Sequence, residues 1–181
     1  QAGGTATEAP HGSRPARPIV LVIGGSDPSA GAGIQADLKT VEALGGYALT
    51  VVTSVTAQNS AEVATTHDLP DGIVAAQLDM LLRDFPVSSI KTGMLGNAAI
   101  VATIAERLAG RGLPLVVDPV LASTAGYPLL DRAGVEALVS RLLPLATLCT
   151  PNWPEAAALA GRPVRTLDEA TEAGRRILDK G

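Results

Sequence analysis

Two stretches of the chain hold side chains of types and spacings that can do chemistry. Gly31-Ala32-Gly33-Ile34-Gln35-Ala36 fits G-x-G-x-x-A, a pattern whose glycines let a dinucleotide pyrophosphate approach the backbone at a helix N-terminus. Its surroundings argue against that use, because the strand before it is expected to end at Ile23 and Thr53, not an acidic ribose ligand, stands about 20 residues beyond. The same glycines also fit a flexible turn packed against the following helix. Asp37, expected in that helix's first turn, carries a carboxylate that the helix N-terminus alone would favour. Asn152 and Glu155 form an N-x-x-E pair, which puts both side chains on one face of a helical turn. Hard oxygen donors of this kind suit Mg²⁺, which keeps several waters and takes one or two protein contacts. The competing use is helix capping by Asn152, with Glu155 solvated. No G-x-x-x-x-G-K-[ST] segment occurs, which excludes a P-loop.

The remaining reactive side chains are few. Cys149 is the single cysteine, which excludes an internal disulfide framework and a cysteine-based zinc site and points to a reducing, cytoplasmic compartment. It lies in the apolar run Ala146 to Thr150 and reads as a buried structural thiol. His11 and His67 have no partner residues nearby in the sequence and read as surface side chains.

These residues need a scaffold, and the sequence predicts one of alternating strands and helices. Strands are expected at Ile19 to Ile23, Ala48 to Ser54, Ser89 to Thr92, Leu115 to Asp118 and Ala146 to Thr150. Between them, apolar residues recur at helical spacing: Ile34, Leu38, Val41 and Leu44; Ile73, Val74, Leu78, Leu81 and Leu82; Ile100, Val101, Ile104 and Leu108; Val135, Leu138, Val139 and Leu142. A short helix from Pro154 and a last one from about Thr166 to Asp179 complete the chain. Thr65-Thr66-His67-Asp68 reads as a polar connection. The order is that of parallel βαβ units with helices on both sheet faces, and sites in such sheets lie beyond the carboxyl ends of the strands.

Composition narrows the function classes. The chain has 181 residues, a formal charge of −4, and one Phe, one Trp and two Tyr, so its core is built from Ala, Val, Leu and Ile. Mild acidity without a basic run or stacking aromatics argues against nucleic acid. No apolar run reaches the roughly 20 residues of a membrane helix, so no membrane partner is expected. Residues Gln1 to Pro18 lack any hydrophobic period and read as a tail or linker, leaving 19–181 as the folded domain.

Taken together, the motifs resemble those of the hydroxymethylpyrimidine/phosphomethylpyrimidine kinases of thiamine biosynthesis, within the ribokinase superfamily. The resemblance is carried by the run from Gly24 to Thr40 (GGSDPSAGAGIQADLKT), then Leu44-Gly45-Gly46-Tyr47, Thr56-Ala57-Gln58-Asn59, Lys91-Thr92-Gly93-Met94-Leu95, Val117-Asp118-Pro119-Val120 and Thr150-Pro151-Asn152-Trp153-Pro154-Glu155-Ala156-Ala157, in that order. It implies an α/β fold, a ribokinase-like three-layer sandwich with a central, mostly parallel sheet flanked by helices. It also implies ATP- and Mg²⁺-dependent phosphorylation of 4-amino-5-hydroxymethyl-2-methylpyrimidine, and of its monophosphate, by a cytoplasmic homodimer. Gln58 would read the ring, since one planar amide offers both a donor and an acceptor. Asp37 would hold the hydroxymethyl group, Gly25 would admit the flat ring close to the backbone, and Met94 would supply a soft apolar surface, with Thr56 beside them. Asn152 and Glu155, with Asp118 nearby, would organise Mg²⁺ and the ATP phosphates; Asp118 and Glu155 would act on the metal mainly through water.

The sequence also departs from the family pattern. Thr124 stands where the family often has Lys after Asp-Pro-Val, and Thr92 replaces the usual apolar residue before Gly-Met. The family's Gly-Thr-Gly-Cys-Thr-like segment, which carries its anion hole and the Cys expected as catalytic base, has no counterpart here. The 181 residues are fewer than the roughly 250 of such a kinase domain, so the expectation is a domain lacking its C-terminal third. Two alternatives accompany this reading: a pyridoxal or pyridoxine kinase, and a fragment that binds the pyrimidine without catalysis.

Overall fold

The structure is a computed structural model, and it describes residues 17–123 and 126–181. The expectations placed on the tail up to Ala16, on His11 and on Thr124 lie outside the described residues.

Six strands form one sheet: β1 (Ile19–Ser26), β2 (Tyr47–Gln58), β3 (Val63–Asp68), β4 (Ser89–Thr92), β5 (Leu115–Val117) and β6 (Leu148–Cys149). Their order across the sheet is β3-β2-β1-β4-β5-β6. Every pairing is parallel except β2 with β3, which form an antiparallel hairpin at one edge. Helices α1 (Gly33–Ala43), α2 (Asp71–Asp84), α3 (Ala98–Leu108), α4 (Arg132–Ala137), α5 (Trp153–Ala160) and α6 (Leu167–Leu178) fill the connections. The chain continues from α4 through a π-helical turn at Leu138–Leu142 and a 3₁₀ turn at Leu143–Leu145.

Strand alternation sorts the core. Leu21 and Ile23, Leu49 and Val51, Ile90, and Leu115 and Val117 share one face and pack with Val74 and Leu78 of α2 and Ile100 and Ile104 of α3. The opposite face carries Val22 and Gly24; a Cβ on Gly24 would lie 3.5 Å from Ile34 of α1, so α1 covers this side. The cover is unequal, for Leu148 on the same face as Val22 is 54% exposed.

Several expected bounds shift. Helices α2 and α3 and strand β4 fall where periodicity puts them. Strand β1 runs on to Ser26 and β2 to Gln58, past the ends expected at Ile23 and Ser54. The supposed polar connection at Thr65 to Asp68 is part of β3, an edge strand with no buried residue, and His67 lies exposed on it. The apolar stripe of α1 is only partly buried: Ile34 is in the core, whereas Leu38 and Leu44 are exposed. Arg17 donates to the carbonyls of Gly45 and Gly46, and Pro18 accepts from Tyr47 at 2.9 Å, so these two residues are tied to the α1–β2 turn.

Candidate active site

The loop between β1 and α1 is built around one carboxylate. Asp27, 3% exposed, accepts hydrogen bonds from the Ser29 amide (2.8 Å) and hydroxyl (2.8 Å), the Gly31 amide (3.1 Å) and the Ala32 amide (2.8 Å). Burial by itself would raise its pKa, but these hydrogen bonds outweigh it and hold the carboxyl below its ordinary value. Gln35 of α1 closes the loop, accepting from the Asp27 amide at 2.9 Å and donating to the Ser26 hydroxyl at 2.7 Å. Sequence reasoning missed Asp27; the Asp-Pro-Ser run after a strand is the local turn signal that points to it. The amides that the dinucleotide pattern would offer to a phosphate are thus partly spent on Asp27. Gly33 has φ of +59°, and a Cβ there would lie 2.5 Å from the Gly25 carbonyl, so the tight entry into α1 requires glycine.

Beyond the carboxyl ends of β1, β4 and β5 lies a pocket of about 250 Å³. It gathers every residue expected to bind substrate, Gly25, Asp37, Thr56, Gln58 and Met94, together with Asp118. Lys91 joins them as a second residue that sequence reasoning missed: its Nζ is 2.8 Å from Asp37 Oδ2 and 3.5 Å from Asp118 Oδ2. Asp37 lies in the second turn of α1, not its first, so helix-terminus charge does not account for it. Thr56 donates to the Ser26 carbonyl at 3.0 Å and fixes β2 against β1. Gln58 is half-buried at the end of β2, and its side-chain amide makes no hydrogen bond among the described residues.

Met94 is placed by two contacts. Thr53 donates to its carbonyl at 2.7 Å, and a Cβ on Gly25 would come within 2.8 Å of its Sδ. Gly25 and Met94 thus line the pocket side by side, with the thioether packed against the bare glycine backbone. A second cavity of about 440 Å³ adjoins the pocket through Asp27, Ala32 and Gln58, between the glycine loop and the β2–β3 hairpin tip at Asn59 to Glu62.

Asn152 and Glu155 do not line the pocket. They form a capping box at the start of α5: Asn152 Oδ1 accepts from the Glu155 amide at 2.9 Å, and Glu155 Oε2 accepts from the Asn152 amide at 2.8 Å. Glu155 is nevertheless buried, against the expectation of a solvated side chain in the capping alternative. Burial pushes its pKa up, and the neighbouring Asp118 charge adds to the rise. The Asp118 and Glu155 charges repel one another, which a divalent cation between them would relieve, while the Asn152 oxygen and Glu155 Oε2 are both committed to the cap. Among the described residues, no group of three or more His, Cys, Asp and Glu side chains gathers to form a protein-only metal cage. Cys149 is half-buried rather than fully buried; burial, and then the Asp118 and Glu155 charges, push its pKa up to about 11, which makes it a poor nucleophile at neutral pH.

The family model for phosphomethylpyrimidine kinase matches residues 27–181. The chain belongs to the phosphomethylpyrimidine kinase family. Its pocket residues fall within or just before the matched region, with Gly24, Gly25 and Ser26 preceding it. Among curated proteins, the chain is 50% identical over 152 residues to a hydroxymethylpyrimidine/phosphomethylpyrimidine kinase of Streptomyces coelicolor, covering 84% of this chain and 56% of that protein. Among solved structures, phosphomethylpyrimidine kinase from Clostridium difficile superposes with a TM-score of 0.84 at 41% identity, covering 91% of this chain and 72% of that one. The pyridoxal kinase of Staphylococcus aureus, solved with pyridoxal, gives 0.83 at 35% identity, covering 92% and 62%. The ribokinase-like architecture of this kinase family is the fold described above. The chain spans between 33% and 61% of the length of the curated relatives it matches first.

Proposed function

We propose that this member of the phosphomethylpyrimidine kinase family serves the ATP-dependent phosphorylation of 4-amino-5-hydroxymethyl-2-methylpyrimidine and of its monophosphate. The observation that carries the reading is the Gln58 amide: unpartnered among the described residues, half-buried, and in one pocket with Asp37, Met94 and Thr56. That amide keeps its donor and acceptor open to the pocket, and an aminopyrimidine edge presents the matching acceptor and donor. Asp37, accepting a hydrogen bond from the hydroxymethyl group, orients the oxygen that takes the phosphoryl group. Met94 packs on the ring, and the buried hydroxyl of Thr56 keeps β2 in register so that Gln58 faces the ring.

Phosphoryl transfer asks mostly for positioning and charge neutralisation. Asp118 and Glu155 would hold Mg²⁺ through its waters, and the bound ion would neutralise charge on the ATP phosphates. In this reading Asn152 holds Glu155 in place through the capping box. The hydroxymethylpyrimidine in the names of its relatives and the ADP bound in the pyridoxal kinase of Staphylococcus aureus support a small hydroxymethyl heterocycle and an adenine nucleotide as the substrate pair.

The pyridoxal kinase likeness favours a second reading, in which a vitamin B6 alcohol fills the same pocket. Competition between the aminopyrimidine alcohol and pyridoxine for the pocket separates the two. The expected result is that the pyrimidine displaces pyridoxine at the lower concentration; preferential binding or turnover of pyridoxine contradicts the pyrimidine assignment.

A further inference from the structure

Of the charged side chains lining the pocket, Asp27, Asp37 and Asp118 are anionic and Lys91 is the single cation among the described residues. Asp27 is satisfied by its own loop, which leaves Asp37 and Asp118 facing Lys91. Lys91 pairs in register with Val22 of β1 and Val116 of β5, on the sheet face that α1 covers. This register sends its ammonium to Asp37 of α1 at 2.8 Å and to Asp118, the residue after β5, at 3.5 Å. The turn that follows is bare where the ammonium sits, for a Cβ on Gly93 would lie 3.1 Å from Nζ. All three side chains are about a quarter to a third exposed, so the cluster is partly desolvated yet open to a ligand.

We propose that Lys91 is a positioning residue that couples the two halves of the site. One N–H of the ammonium serves the Asp37 carboxylate and its charge attracts Asp118 at 3.5 Å, holding the first toward the acceptor hydroxyl and the second toward the donor side. Without it, two like charges share a small pocket and each side chain turns away from the other. This assignment rests on the reading of Asp37 and Asp118 given above.

A coupling experiment tests it. Calorimetric titration of the aminopyrimidine alcohol is run on the full chain, wild type and Lys91→Met, and again in an Asp37→Asn background, with the melting temperature of each protein measured alongside. Lys91→Met is expected to weaken binding about tenfold in the wild-type background and less than about twofold beside Asp37→Asn, with Lys91→Arg restoring most of the loss. Equal binding by Lys91→Met and wild type overturns the proposal, as does the same fractional loss in both backgrounds. Where Lys91→Met does not fold, Lys91→Gln takes its place in both backgrounds, and the same outcomes support or overturn the proposal. Failure of the wild-type chain to bind the alcohol contradicts the proposed function instead. In that event, crystal structures of wild type and Lys91→Met decide on Lys91: displaced Asp37 and Asp118 carboxylates support the assignment, and unchanged ones overturn it.

Discussion

At the scale of single residues, the site combines groups whose needs are met inside the fold with groups left open. Asp27 is engaged in its loop and Asn152 Oδ1 in the α5 cap, whereas Gln58 keeps its amide free among the described residues. Thr92 is different in kind: its hydroxyl is buried on the core face between Ile23 and Val117 and has no hydrogen-bond partner among the described residues. An orphaned buried hydroxyl costs about 1–3 kcal/mol. Thr92→Val removes that cost at nearly the same shape, so a gain of roughly 1 kcal/mol in unfolding free energy is expected from urea titration. A loss of stability would show that the hydroxyl has a partner in solution. Motif order, through the family resemblance, put Gln58, Asp37 and Asp118 among the expected site residues, and they line one pocket. Sequence reasoning missed Lys91 because the contact that gives it meaning joins positions 54 residues apart, and nothing local marks a lysine in a strand as a bridge.

At the scale of elements, the β2–β3 hairpin and the turn after β4 are locked together. Asp68 at the end of β3 accepts from the Ser54 hydroxyl at 2.7 Å and from the Asn97 amide at 2.9 Å. Gly96 has φ of +79°, and a Cβ there would lie 2.5 Å from Asp68 Oδ1. Gly96→Ala therefore combines a disfavoured backbone region with a clash, and an unfolding midpoint lower by the equivalent of roughly 1–3 kcal/mol is expected in denaturant. Because the same turn carries Met94, the alcohol should bind this variant more weakly as well; an unchanged midpoint and affinity contradict the lock. The hairpin is also where sequence reading fell short. In Val55 to Gln58 the apolar Val55 points outward at 47% exposure while Thr56 is buried at 6%, inverting the usual alternation. The inversion arises because this end of β2 faces a pocket instead of a core. Strand β3 is an edge strand with every residue at least partly exposed, so it has no apolar period to read.

At the scale of the whole molecule, the alternation of strand and helix was legible because parallel strands buried on both faces are runs of Val, Ile and Leu, and α2 and α3 carry full apolar stripes. The α1 stripe misled because the helix covers only part of the sheet, and its outer residues Leu38 and Leu44 stay exposed. The fold's organisation explains why the site is where it is. Three parallel strands, β1, β4 and β5, end side by side, and the residues just beyond them, with α1 and the end of β2, enclose the pocket. The central claim is that this pocket reads an aminopyrimidine through Gln58. Calorimetric titration of 4-amino-5-hydroxymethyl-2-methylpyrimidine into the wild-type chain and into Gln58→Leu tests it most directly. Binding to the wild type and a loss of about tenfold or more in the variant at unchanged melting temperature are expected; equal affinity for the two proteins rules out this role for Gln58.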